Sequence, residues 1–155
     1  MRYAIAVSLA AALLALPAQA GAYVQIDQGI AGARLGNSQA QVKAALGEPK
    51  LVRTGTNDFG PFSIFYYEGG LRVTFQGNEQ VSSVYTTGRG DRTTRGIGVG
   101  NTEKALRQKH SGLACEGSGD FRFCRSDSLE AGNRVTVFRI KGGKITQITV
   151  AFVLD

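Results

Sequence analysis

The chain predicts an α+β fold of two tandem repeats, each a helix packed on a four-stranded antiparallel meander sheet. Three observations carry this. Apolar positions recur at an offset of 64 residues, as from Leu35 to Val99. Each half opens with a short helical pattern behind a capping residue and continues in alternating apolar and polar runs. Glycine accounts for 21 of 155 residues against only 3 prolines, which suits many tight turns between strands.

Residues 1–20, MRYAIAVSLAAALLALPAQA, read as an export signal. Arg2 supplies the positive start, Ala4–Leu16 the apolar run, and Ala18-Gln19-Ala20 the small-x-small cleavage form. The run is about 13 residues, short of the ~20 a membrane-spanning helix needs, and no later segment is apolar enough to span. Gly21 stands where a lipoprotein would carry cysteine. The mature form is expected to be periplasmic or secreted, without a transmembrane span.

Residues 21–30 read as an N-terminal linker, 31–87 as repeat unit one, 88–96 as a linker and 97–155 as repeat unit two. In unit one, Ser38 caps a helix and Gln41 stands at the capping-box position. Val42, Ala45 and Leu46 share a face, Gly47 stops the helix and Pro49 prevents its return. Strands are expected at Leu51–Thr54, Phe62–Tyr67, Leu71–Phe75 and Val81–Thr86. In unit two, Thr102 caps and Leu106 faces inward, and strands follow at Leu113–Glu116, Phe121–Arg125, Val135–Ile140 and Ile145–Phe152. Lys141-Gly142-Gly143-Lys144 marks a hairpin.

On the residues Gly36-Asn37-Ser38, Val42, Leu46-Gly47-Glu48-Pro49 and a strand ending in Tyr66-Tyr67, the chain resembles two related families. These are the secreted β-lactamase inhibitor protein and the small lipoprotein of the outer-membrane β-barrel assembly machinery. The resemblance implies helices on one face of an antiparallel sheet and a protein-binding role, with no binding residue carried over.

Cys115 and Cys124 are expected to form a structural disulfide, because an exported chain meets oxidising conditions. The intervening Gly117-Ser118-Gly119-Asp120 makes the segment a hairpin. A zinc site would need more ligands than two cysteines and one distant histidine, so no metal or cofactor is expected. His110, the only histidine, falls in the last turn of the second helix, and no carboxylate is near it in sequence. Gly96–Gly100 lacks the spacing of a dinucleotide site and the lysine of a P-loop. Arg89-Gly90-Asp91 is too short a match to carry an adhesion role. No catalytic set is expected, and the chain reads as a non-enzyme.

Without Arg2, seventeen basic residues face twelve acidic ones, and the whole excess lies in residues 88–155. Arg89, Arg92, Arg95, Lys104, Arg107, Arg122 and Arg125 form a candidate basic patch. Nucleic acid is not an expected partner, because these groups neither cluster in a recognition helix nor interleave with aromatics. Tyr66, Tyr67, Arg72, Tyr85 and Phe138 are candidate protein-binding residues on a sheet surface, where such side chains suit interfaces. The functional expectation is an exported protein-binding module, an inhibitor or envelope-assembly accessory. The alternatives are a basic protein that adheres to an anionic envelope polymer or lipid, and an enzyme with an unrecognised site.

Overall fold

The computed structural model describes residues 23–77 and 79–154; the export signal expected over 1–20 lies outside them. The elements run β1 (Tyr23–Gln25), β2 (Gly29–Ile30), β3 (Ala33–Arg34), α1 (Gln39–Leu46), β4 (Leu51–Asn57), β5 (Gly60–Tyr66), β6 (Arg72–Gln76) and β7 (Gln80–Thr86). Then come β8 (Arg92–Thr93), α2 (Glu103–Lys109), β9 (Ala114–Glu116), β10 (Arg122–Arg125), β11 (Arg134–Lys141) and β12 (Lys144–Phe152).

The described residues are mostly β, with two α-helices and two sheets, and this corrects the expectation of two helix-plus-four-strand repeats. One sheet has eight strands in the order β4-β5-β6-β7-β12-β11-β10-β9. Its two meanders do not form separate bodies, because β7 pairs antiparallel with β12 from Ser83↔Ala151 to Thr86↔Ile148. The second sheet has four short strands in the order β3-β2-β1-β8. β1 lies parallel to β8, pairing Tyr23 with Arg92 and Val24 with Thr93. The segments 21–30 and 88–96 thus both contribute strands to this sheet. Residues 64 apart do share backbone bonds where each helix begins. Gly36 N–H and Gly100 N–H donate to Val81 O (2.9 Å) and Ile145 O (2.8 Å), respectively. That local correspondence does not extend to two self-contained units.

Both helices start as their capping residues dictate. Ser38 Oγ accepts from Gln41 N–H, and Gln41 Oε1 accepts from Ser38 N–H at 2.8 Å. Thr102 Oγ1 accepts from Ala105 N–H at 3.1 Å. Val42 and Leu106 turn inward from α1 and α2 and are fully buried. They join Val73, Phe75, Val81, Val84, Phe138, Ile145, Ile148 and Val150 from the large sheet, and Val24, Ile30, Ala33 and Ile97 from the small sheet and its surroundings. One continuous core therefore fills the space between the inner face of the large sheet and the helices with the small sheet.

Two glycines permit this packing by close approach. A Cβ on Gly29 would lie 2.0 Å from Ala33 O, and one on Gly98 would lie 2.3 Å from Asp91 O. Gly98, in the glycine-rich run, is thus a backbone contact point rather than part of a phosphate cradle.

Candidate functional site

The outer face of the large sheet follows from strand alternation. On β5, Ser63 and Phe65 point inward and are buried, so Phe62, Ile64 and Tyr66 point outward and are partly exposed. Cross-strand register continues the outer row, with Tyr66 opposite Arg72 on β6 and Arg72 opposite Tyr85 on β7. The Arg72 guanidinium carbon lies 5.3 Å from the Tyr66 ring centroid and 4.8 Å from that of Tyr85. Arg53 on β4 stacks on the other side of Tyr66 at 5.5 Å. The result is a ladder, Arg53–Tyr66–Arg72–Tyr85, across four neighbouring strands. Arg53 and Arg72 have no carboxylate partner among the described residues and hold their charge over aromatic faces. Both helices and the small sheet pack on the opposite face, and on this one Arg53 and Arg72 are exposed and Tyr66 and Tyr85 partly exposed.

Two residues expected on this surface lie elsewhere. Phe138 is in the core at 0% exposure. Tyr67 packs against the core and donates its hydroxyl to Gly47 O at 3.2 Å. Burial, and then the charge of Glu48, raise its phenol above the ordinary value. The face instead includes Phe62 and Ile64. The alternation in the β5 run signalled both, but only after the inward parity of Phe65 is known.

The candidate basic residues do not form one open cationic surface. Arg122 makes a bidentate pair with Glu103 through Nε at 2.7 Å and Nη2 at 2.5 Å. Arg107 approaches the same carboxylate at 3.7 Å, and Arg125 pairs with Glu116 at 2.7 Å. The Arg122 hydrogen bonds hold the Glu103 carboxyl below its ordinary range. Arg92 donates to Asn101 Oδ1 and Gly96 O, and Arg95 donates to Lys109 O at 2.6 Å. Arg89 and Lys104 are exposed. Asp91 of the Arg-Gly-Asp run is folded inward, accepting from the Thr86 hydroxyl. Its burial raises its carboxyl above the ordinary value.

Cys115 and Cys124 are joined directly across β9 and β10. Glu103 lies within 4.8 Å of both sulfurs, but sulfurs already bonded to each other offer no thiolate to a metal ion. The disulfide fits an exported chain. No helix among the described residues is long and apolar enough to cross a membrane.

A cleft of about 550 Å³ lies between the β1–β2 turn, the segment after β8 and the loop from α2 to β9. Its walls include Asp27, Thr93, Arg95, His110 and Ser126. Thr93 Oγ1 lies 3.0 Å from His110 Nε2 and accepts from Ile97 N–H at 3.2 Å. Burial, and then the charge of Arg95, lower the His110 pKa and so favour the neutral ring. The Asp27 carboxylate accepts from the hydroxyls of Ser126 and of Thr136, the latter at 2.9 Å. Ser126 is therefore bonded to a structural carboxylate, and His110 to Thr93. The cleft thus holds one hydroxyl–imidazole pair, Thr93–His110, and its Thr93 hydroxyl is buried and also bonded by Ile97 N–H.

No protein-family model matches the sequence, and no curated protein does. Among solved structures, the chain is similar to an extracellular protein containing a SCP domain from Bacillus anthracis str. Ames. The two are 11% identical, with a TM-score of 0.52, over 76% of this chain and 44% of that one. A cysteine-rich secretory protein from Staphylococcus aureus is 12% identical, with a TM-score of 0.48, over 76% and 44%. A DUF4309 family protein from Bacillus subtilis is 17% identical, with a TM-score of 0.46, over 75% and 78%. The chain spans less than half the length of the first two. The fold likeness to the SCP-domain protein, rather than to the β-lactamase inhibitor protein or the assembly lipoprotein, corrects the fold that the resemblance in the sequence implied. That resemblance rested on cap and stop residues such as Ser38, Gly47 and Pro49, which many helices use for the same local reasons.

Proposed function

We propose that this chain is an exported, non-enzymatic protein-binding module whose contact surface is the outer face of the eight-stranded sheet. The observation that carries the reading is the solvent-accessible Arg53–Tyr66–Arg72–Tyr85 ladder on the face away from the helices. Tyrosine and arginine are the side chains most often found at the energetic centres of interfaces, because each buries apolar area and offers a polar group. The stacking holds the two guanidinium groups in place before binding, which reduces the ordering cost on association. Two cations without carboxylate partners call for an acidic partner surface on another secreted or periplasmic protein. Adhesion to an anionic polymer draws less support, because Glu103 and Glu116 neutralise much of the basic set.

The test is parallel affinity capture from an envelope and secreted fraction with the wild-type mature chain and with Arg72→Glu. The proposal expects a discrete protein retained by wild type and lost by the variant, both chains being folded by circular dichroism. Equal retention by both chains contradicts it. Retention of polymer or lipid alone, lost once salt shortens screening to about 3 Å, also contradicts it.

A further inference from the structure

The two edges of the eight-stranded sheet are unlike. At one end β9 is three residues long and tied to β10 by the disulfide. At the other end β4 is seven residues long and exposed throughout, with Leu51 and Val52 each at 46%. β4 contains no proline, a single charge at Arg53, and the β-branched residues Val52, Thr54 and Thr56. Soluble proteins ordinarily shield such an edge with prolines, bulges, charges or brevity.

The pairing with β5 decides which backbone groups are open. Asn57 and Gly60 close the two-residue turn, and Thr56 lies opposite Pro61, which has no N–H to give it. Alternation along an antiparallel ladder then directs the N–H and C=O of Val52, Thr54 and Thr56 away from β5, toward solvent.

We propose that β4 pairs with β4 of a second copy of this chain, antiparallel about a two-fold axis through Thr54. In this register Val52 faces Thr56 of the second copy, and every outward N–H and C=O of the three residues finds a partner. Charge selects the same register. Lys50, which also pairs with Glu68 of its own chain, lies opposite Asp58 of the second copy. Arg53 lies opposite Gly55, where a Cβ would sit 2.7 Å from a ring carbon of Phe62, so the guanidinium meets that aromatic ring. A shift one way sets Arg53 against Arg53, and a shift the other way carries Val52 past the end of the strand. The axis stands perpendicular to the sheet, so both outer faces lie on one side and the dimer presents two Arg–Tyr ladders together. This pairing stands whether or not the outer face binds a partner protein.

Sedimentation of the mature chain over a concentration series tests the proposal, with hydrogen exchange on the same samples. Wild type should form a dimer, and the amides of Val52, Thr54 and Thr56 should gain protection as it does. Thr54→Pro should be monomeric at every concentration yet folded, because that N–H serves no bond within the chain's own sheet. Asp58→Lys should weaken the dimer about tenfold at low salt, as two exposed attractive pairs become repulsive. A wild type that stays monomeric overturns the proposal. So does a dimer that survives Thr54→Pro, or one that protects amides elsewhere and not in β4.

Discussion

Replacing Cys115 and Cys124 together with alanine should lower the unfolding free energy by about 2.6 kcal/mol, from loop closure alone. The bridge joins residues separated by nine positions. Closing a loop of that length removes about 8.6 cal/mol/K from the unfolded chain, or ~2.6 kcal/mol at 25 °C. Two features of the structure adjust this in opposite directions. Cys124 is fully buried, so losing its sulfur leaves a small void that adds up to ~1 kcal/mol. The hairpin is also held by the Phe123↔Glu116 and Arg125↔Ala114 pairs, so some of its order survives without the bridge. Alanine is the right replacement, because a serine hydroxyl at 124 would be buried without a designed partner. Urea unfolding followed by circular dichroism measures the difference, and a thermal scan should show a fall of about 10 °C for a chain of this size. Reducing the wild type should reproduce the drop. A double variant within ~0.5 kcal/mol of wild type would refute the loop-closure reasoning.

Three further perturbations bear on the fold. Phe138→Ala should cost about 3–5 kcal/mol in urea unfolding, because the ring is wholly enclosed in the core; a loss under ~1 kcal/mol would place it at a surface. Asp27→Ala removes the acceptor shared by Ser126 and Thr136 and should cost ~2–3 kcal/mol. Hydrogen exchange should show the loosening first in β1 and β2, the hairpin this carboxylate ties to β11. His110 has a pKa below its ordinary value, so the folded state binds fewer protons there than the unfolded chain. Its contribution is full above about pH 6.5 and is lost as pH falls from there toward the lower folded value. His110→Gln should flatten that part of the difference between urea midpoints at pH 7.5 and pH 5.5 (approximate buffer values). A variant as pH-sensitive as wild type would show that other groups carry the slope.

The strands of the large sheet were legible in the sequence, the longer ones from apolar and β-branched runs and the short β9 and β10 from the cysteines and glycines around their hairpin. Leu71, Val73 and Phe75 alternate with Arg72 and Thr74, whereas Val135–Ile140 is marked by its β-branched and aromatic content. The helix starts were legible from Ser38, Gln41 and Thr102, whose side chains act within one turn. The small sheet was not, because two-residue strands such as Gly29–Ile30 and Arg92–Thr93 are too short to have a period. Their order comes from a parallel pairing between residues about 70 apart, which local patterns do not encode. The continuous sheet was hidden for the same reason, since β7 and β12 meet only through long-range pairing.

At the candidate site, Tyr66, Arg72 and Tyr85 were named from residue types that suit interfaces, and the structure brings these three together on one face, in strands whose expected bounds differ from the observed ones by up to two residues. Phe138 was misplaced on the surface because apolar residues occupy both faces of its strand, Val135 and Val137 on one and Phe138 and Ile140 on the other, so alternation does not say which face is inward. Arg122 and Arg125 read as free cations, because Glu103 and Glu116 reach them across the fold.

Site-specific photocrosslinking tests the central claim most directly. A photoreactive residue would replace Tyr85, on the outer sheet face, or Lys104, an exposed position on helix α2 behind the opposite face. Exposed to the envelope and secreted fraction, the chain should yield a discrete protein adduct from position 85, abolished by Arg72→Glu, and none from position 104. An adduct from position 104 with none from position 85 would contradict the assignment of the outer face.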